Sequence, residues 1–181
     1  MITVAILTVS DSAAQGRKED LSGPALRARC EQLNWPVVAT RVVADEQSAI
    51  ASALEEWADS AAAALILTTG GTGVAARDVT PEATRGVLER EIPGMGELMR
   101  SEGLKQTKFS VLSRAVAGWR KRSLIVNLPG SPRGAVYSLQ TIEHLVPHLV
   151  DLLEGRTRHA ADEKLGDRGN SRWGKRHLND V

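Results

Sequence analysis

Leu65-Ile66-Leu67-Thr68-Thr69-Gly70-Gly71-Thr72-Gly73-Val74-Ala75-Ala76-Arg77-Asp78-Val79-Thr80-Pro81-Glu82-Ala83-Thr84 reads as a buried strand, a glycine-rich turn, a charged pair and the opening of a helix. Thr80 suits the N-cap and Pro81 the first helical position, where a missing N–H costs nothing. Gly70, Gly71 and Gly73 let backbone amides face one point, which suits a phosphate held near a helix N-terminus. Asp78, just past the loop, is placed to hold the metal that a polyphosphate brings with it. Taken alone, so short a loop favours a plain strand-to-helix turn. The rest of the chain decides between the two readings.

Upstream, Ile2, Val4, Ile6, Leu7 and Val9 form a dense apolar run that predicts a buried first strand. It ends in Ser10-Asp11-Ser12 and a polar loop reaching Asp20. Asp11 reads first as a turn cap and second as a site residue. Ser22-Gly23-Pro24 opens a helix with Leu26, Cys30 and Leu33 inward, which makes Cys30 a small core residue rather than a nucleophile. Val37, Val38, Val42 and Val43 predict a second strand. Asp45 follows it and precedes an amphipathic helix carrying Ile50, Ala53, Leu54, Trp57 and Ala58. By position alone Asp45 is an ordinary N-cap. A third strand is expected over 61–67.

Downstream, a helix is expected over 80–91, broken by Ile92-Pro93-Gly94, with a short further helix around Met95, Leu98 and Met99. Val111 to Gly118 fits either a helix or a strand. Arg120-Lys121-Arg122 looks like a basic hairpin leading into a buried strand, Leu124 to Leu128, which closes in Pro129-Gly130-Ser131-Pro132. A helical stripe then runs from Val136 to Leu152, split or kinked by Pro147. From Gly155 onward the pattern stops. That segment carries seven basic and four acidic residues, against 16 basic and 18 acidic before it. One domain over 1–155 with a polar, basic C-terminal extension over 156–181 is the expected organisation.

Composition narrows the classes. The chain of 181 residues is 42% hydrophobic and 25% charged, which fits a globular domain with its own core. With 23 basic and 22 acidic residues it is near neutral. This argues against nucleic acid or an anionic membrane as a partner. The single Cys30 excludes an intrachain disulfide and any multi-cysteine metal site. No window approaches ~20 apolar residues, so no membrane-spanning helix is expected. The start of the chain lacks the basic segment of a signal peptide, so a cytoplasmic location is expected.

Strands alternate with helices from end to end. The expected fold is α/β, a three-layer sandwich with a mostly parallel central sheet flanked by helices. Ligands in such sheets lie beyond the strand C-termini. Four junctions fall there: Ser10-Asp11, Asp45, Gly70 to Asp78, and Asn127 to Ser131. A phosphate-cradling loop with two aspartates on one edge points to a magnesium–nucleotide site. The P-loop and dinucleotide fingerprints are both absent, which disfavours P-loop hydrolysis and nicotinamide redox chemistry.

Thr68-Thr69-Gly70-Gly71-Thr72-Gly73 followed by Arg77-Asp78-Val79-Thr80-Pro81-Glu82-Ala83-Thr84 resembles the signature of the Mog/MoaB group of molybdenum-cofactor biosynthesis proteins, relatives of the gephyrin G domain. Asp45-Glu46-Gln47, Pro93-Gly94-Met95-Gly96-Glu97, Leu112-Ser113-Arg114 with Gly118, and Asn127-Leu128-Pro129-Gly130-Ser131-Pro132 match in the same order. The resemblance covers roughly residues 2 to 155. It implies a Mg²⁺-dependent molybdopterin adenylyltransferase that converts molybdopterin and ATP to adenylylated molybdopterin and pyrophosphate. It also implies a homotrimer and handover to a separate molybdate-inserting enzyme. By the same resemblance Asp45 and Asp78 are the catalytic, metal-holding aspartates, and Gly70, Gly71, Thr72 and Gly73 the nucleotide loop, with Ser10 and Asp11 beside it. Ser113, Asn127, Pro129, Gly130 and Ser131 fall on the pterin side. Relatives vary at the position of Ser131.

The implied nucleophile is the terminal phosphate of the pterin, largely dianionic at neutral pH because its second pKa lies near ~6. No general base is required. Positioning and charge neutralisation carry the rate, as in other phosphoryl transfers. Arg77 has two readings, an inward charge or a solvated surface residue. His144 and His148 stand at i, i+4 without a third ligand pattern, so a structural or solvent-facing role is expected. A catalytically silent relative that binds pterin or partner proteins is the alternative function, and a fragment of a larger scaffold or insertase a further one.

Overall fold

The computed structural model describes residues 1–156, so all but Arg156 of the expected extension lies outside the described residues. The chain order is β1 (Val4–Val9), α1 (Asp11–Ala14), α2 (Ser22–Gln32), β2 (Val37–Val43), α3 (Gln47–Asp59), β3 (Leu65–Thr69), α4 (Thr80–Val87), β4 (Arg90–Glu91), α5 (Pro93–Gly103), a 3₁₀ turn (Lys108–Leu112), β5 (Ala117–Arg120), β6 (Ser123–Leu128), α6 (Pro132–Ile142) and α7 (Val146–Leu153).

The strands form one sheet in the order β2-β1-β3-β6-β5-β4. β2, β1, β3 and β6 run parallel, and β5 and β4 turn antiparallel at one edge. β1, β3 and β6 are buried at nearly every position, as unbroken apolar runs require in strands covered on both faces. Alternate residues of β1 split between two cores. Val4 and Ile6 join the layer with Leu26, Met99, Leu139 and Val146 from α2, α5, α6 and α7. Ala5, Leu7 and Val9 join Ile50, Leu54, Trp57 and Val87 from α3 and α4. This is the expected three-layer α/β sandwich. Among the described residues no helix is long and apolar enough to cross a membrane.

Several boundaries differ from expectation. β3 starts at Leu65 rather than Ala61, because Ala61 takes φ 52° in the turn that ends α3. Helix α4 stops at Val87 instead of Glu91: the Glu89 amide donates to the Trp119 carbonyl, and Arg90–Glu91 pairs with β5. The ambiguous segment 111–118 is neither a single helix nor a single strand, but the end of a 3₁₀ turn followed by the start of β5. Lys121, at φ 53°, closes the β5–β6 hairpin. Pro93 and Pro147 each sit in the first turn of a helix, so the first begins α5 and the second begins α7.

Candidate functional site

The parallel strands deliver Ser10, Asp45, Gly70 and Pro129 to one edge, at the ends of β1, β2, β3 and β6. There two loops cross backbone against backbone. Gly70 takes φ +104°, where a side chain would drive into the Val9 carbonyl oxygen, and a Cβ on Gly130 would lie 3.1 Å from the Gly70 Cα. Only glycine fits at position 70, and Gly130 is packed tightly against it. The Gly70 amide donates to the Leu128 carbonyl (3.2 Å), and the Thr69 hydroxyl to the Pro129 carbonyl (2.7 Å). Thr80 does not cap α4 as expected. Its hydroxyl donates to the Gly70 carbonyl (2.9 Å) and its amide to the Gly71 carbonyl (3.1 Å), so it holds the glycine loop while α4 starts without a side-chain cap.

This glycine ridge separates two cavities. The larger, about 670 Å³, is lined by Gly71 to Gly73, Asp78, Ser113 and Pro129 to Ser131, together with Phe109 and Tyr137. The smaller, about 250 Å³, is lined by Ser10, Lys18, Asp45, Thr69 and Gly70. Gly71 and Gly130 line both. Asp78 stands on the larger side, and Asp45 on the smaller side along with Glu19 and Asp20. A Cβ on Gly71 would come 3.3 Å from Asp45 Oδ1, and one on Gly73 would come 2.8 Å from Asp78 Oδ2.

Asp45 is not an N-cap either; Glu46 holds that position without a side-chain bond. Asp45 Oδ2 accepts the Asp11 amide (2.7 Å), and Asp11 Oδ1 accepts the Asp45 amide (3.0 Å). Arg77 grips both oxygens of Asp11, at 2.8 Å each. This settles the two readings of Arg77: it is exposed, yet spent on Asp11. The Asp45 amide, and then the Arg77 guanidinium, hold the Asp11 carboxyl below the usual range. Burial pushes the Asp45 carboxyl up; the Asp11 amide offsets part of this, and the Asp11 and Asp78 charges add to it. Asp11 itself lines neither cavity.

Asp45 Oδ1 and Asp78 Oδ1 accept no hydrogen bond among the described residues, while Asp78 Oδ2 takes the Ala75 amide (2.8 Å). Two hard carboxylate oxygens left open beside a loop of amides fit a magnesium ion that completes its shell with phosphate oxygens. A half-buried carboxylate flanked by like charges is relieved by such a cation.

Asn127 is placed differently from the rest of its loop. It is fully buried. Its amide donates to Thr68 Oγ1 (2.9 Å) and Thr84 Oγ1 (2.8 Å), and its Oδ1 accepts the Val116 amide (3.3 Å). It lines neither cavity and ties β6, β3 and α4 together beneath them. Ser131 does line the large cavity, and its hydroxyl also caps α6 by accepting the Gly134 amide (3.2 Å). Ser10 caps α1 in the same way through the Ala13 amide (3.3 Å).

Sequence reading passed over two cations. Lys18 lines the small cavity from the polar loop. Arg114, quoted only as part of a motif, clamps the glycine loop: Nε donates to the Gly73 carbonyl (2.6 Å), Nη2 to the Asp78 carbonyl and Nη1 to Glu82, while its own amide donates to the Thr72 carbonyl (2.9 Å). No local pattern marks it, since its side-chain partners lie 32 to 41 residues upstream. His144 and His148 are exposed, and no group of three or more potential metal-ligating side chains forms among the described residues. Cys30 is fully buried, and burial pushes its thiol up to about 11, which leaves it inert as a nucleophile.

The family model described as a probable molybdopterin binding domain matches residues 5–149. A molybdopterin adenylyltransferase of Helicobacter pylori is 42% identical over 166 residues, covering 91% of this chain and 94% of the relative. Its Escherichia coli counterpart of the same name is 38% identical over 176 residues, with 90% of each chain covered. Among solved structures, the molybdopterin biosynthesis enzyme MoaB of Thermus thermophilus superposes with a TM-score of 0.81 at 48% identity, over 86% of this chain and 98% of that one. A fold, a loop signature and near full-length relatives thus agree, and the chain belongs to the Mog/MoaB family of molybdenum-cofactor biosynthesis proteins.

Proposed function

We propose that the protein is a molybdopterin adenylyltransferase, transferring AMP from ATP to the terminal phosphate of molybdopterin and releasing pyrophosphate. The observation that carries this reading is the pair of cavities meeting over a bare glycine ridge, with Asp45 in the wall of one and Asp78 in the wall of the other. The larger cavity has the size and the aromatic lining suited to a flat heterocycle, with Phe109 and Tyr137 beside the Pro129–Ser131 loop. The smaller, polar one is lined by Lys18 and Ser10 together with Glu19, Asp20 and Asp45, so it suits phosphate groups that arrive with a cation. Gly71 to Gly73 line the cavities where two polyanions have to be brought together, and their amides would serve as donors there. Asp45 and Asp78 would hold Mg²⁺, which when bound neutralises phosphate charge. No side chain needs to take a proton, because the attacking phosphate is already ionised. Assembly as a homotrimer, a cytoplasmic location and handover of the product to a molybdate-inserting enzyme belong to the same proposal.

The test is incubation with ATP, Mg²⁺ and molybdopterin, reading adenylylated pterin and pyrophosphate. Both should form in equal amounts. Asp78→Asn should lower turnover by about 10² or more while melting temperature stays within error. Asp45→Asn should lower it comparably. Because the folded Asp45 carboxyl titrates above its unfolded value, the stability it contributes is present at low pH and lost as pH rises through the folded value. At neutral pH the asparagine variant should therefore hold or raise the melting temperature. Pterin binding without adenylylation by the unmodified protein would favour the silent-relative reading, and a full-rate Asp78→Asn would sink the metal assignment.

A further inference from the structure

Behind the glycine loop lies a third cavity of about 310 Å³, which meets the larger front cavity at Arg100, Ser113 and Ala115. It opens between α4, the β4–β5 edge and the start of α5. Three guanidiniums reach it: Arg85, Arg100 and Arg114. Glu91 is the one carboxylate in its lining. Arg114 is matched by Glu82, and Arg85 is held by Glu91 through bonds of 3.2 and 3.5 Å. Arg100 has no carboxylate partner among the described residues. Its Nη1 donates only to the carbonyls of Ser113 (3.3 Å) and Ala115 (3.2 Å), and its Nη2 donates to nothing there. The guanidinium lies over Gly96, where a Cβ would come within 3.3 Å of Nη1 and 3.4 Å of Nη2. Pro93 and Gly96 bring the N-terminal turn of α5, with its positive dipole end, to the same wall. Surplus N–H donors, one uncompensated positive charge and a helix N-terminus thus converge on a polar hollow.

We propose that this hollow is a second anion site, taking a tetrahedral oxyanion of the phosphate class through Arg100 and Arg85 with Arg114 at its inner wall. A multi-acceptor dianion satisfies forked guanidinium donors better than a water or a single carbonyl does. The hollow shares Arg100, Ser113 and Ala115 with the larger front cavity, whereas Arg85, Glu91 and Arg114 line neither front cavity; it stands whether or not those cavities carry out adenylyl transfer. It also has a physical connection to them. Arg114 bonds the carbonyls of Thr72, Gly73 and Asp78 with its amide, Nε and Nη2. An anion taking the remaining donors would fix that guanidinium in place and steady the loop from behind.

The experiment is calorimetric titration of the full chain with inorganic phosphate, alone and with a saturating non-hydrolysable ATP analogue. A phosphate-binding event that survives the analogue is expected. Arg85→Glu should weaken it by about tenfold or more, and Glu91→Gln, which removes the one lining carboxylate, should tighten it by about threefold. Neither residue lines a front cavity. Opposite shifts cannot both come from damaged folding, and melting curves of the two variants check this. The proposal is overturned if the analogue displaces all bound phosphate, or if neither substitution changes the remaining affinity.

Discussion

Two strand-to-helix junctions build this site, and they are held in different ways. The junction after β6 runs only from Pro129 to Ser131 and is pinned to the buried sheet at both ends. Ser131 caps the helix it opens, the Pro129 carbonyl accepts the Thr69 hydroxyl, and Asn127, one step back in the strand, anchors the base on Thr68 and Thr84. The junction after β3 runs from Gly70 to Val79 and is held by Thr80 at its far end, by Asp78 folding back on Ala75, and by the half-exposed Arg114 from the segment before β5. The short loop is fixed by buried bonds to the core. The long one takes part of its shape from a single side chain at its outer surface, and so can be loosened without unfolding the sheet.

Three substitutions put this contrast at risk. Gly70→Ala attacks the point where the junctions cross; with φ +104° and the Val9 carbonyl in the way, it should destabilise by more than about 3 kcal/mol and abolish activity, as read in urea unfolding. A variant folding as well as the parent would mean that the ridge is soft. Arg114→Lys removes the fork but keeps the charge. Since one ammonium cannot serve Gly73, Asp78 and Glu82 together, turnover should fall by about 10² while stability changes by only about 1–2 kcal/mol. Equal losses in both would erase the distinction between a shaped loop and a merely stable one. Ser131→Ala, on the shorter junction, should cost about 0.5–1 kcal/mol by loss of the cap, with little change in kcat.

The same contrast explains what the sequence made legible. β1, β3 and β6 announce themselves as apolar runs, and their parallel arrangement follows from the intervening helices, so the sheet edge and its four junctions could be named without coordinates. Asp45, Thr80 and Asn127 were harder. Asp45 and Thr80 are residue types that cap helices, and their positions suit that role, yet Asp45 is claimed by Asp11 across 34 residues and Thr80 by Gly70. Asn127 sits in a turn-rich motif but points into the core, because Thr68, Thr84 and Val116 leave it no free polar atom to offer a ligand. Local pattern fixes which backbone groups need partners; it does not say which distant side chain supplies them.

The paired bonds between Asp11 and Asp45 have a mechanical meaning as well. Each residue's amide is captured by the other's carboxylate, so the ends of β1 and β2 are stitched twice, in opposite senses. Neither segment can swing outward without dragging its neighbour. Opening on this flank is therefore a single concerted displacement, and amide hydrogens at Asp11 and Asp45 should exchange with solvent at one shared rate.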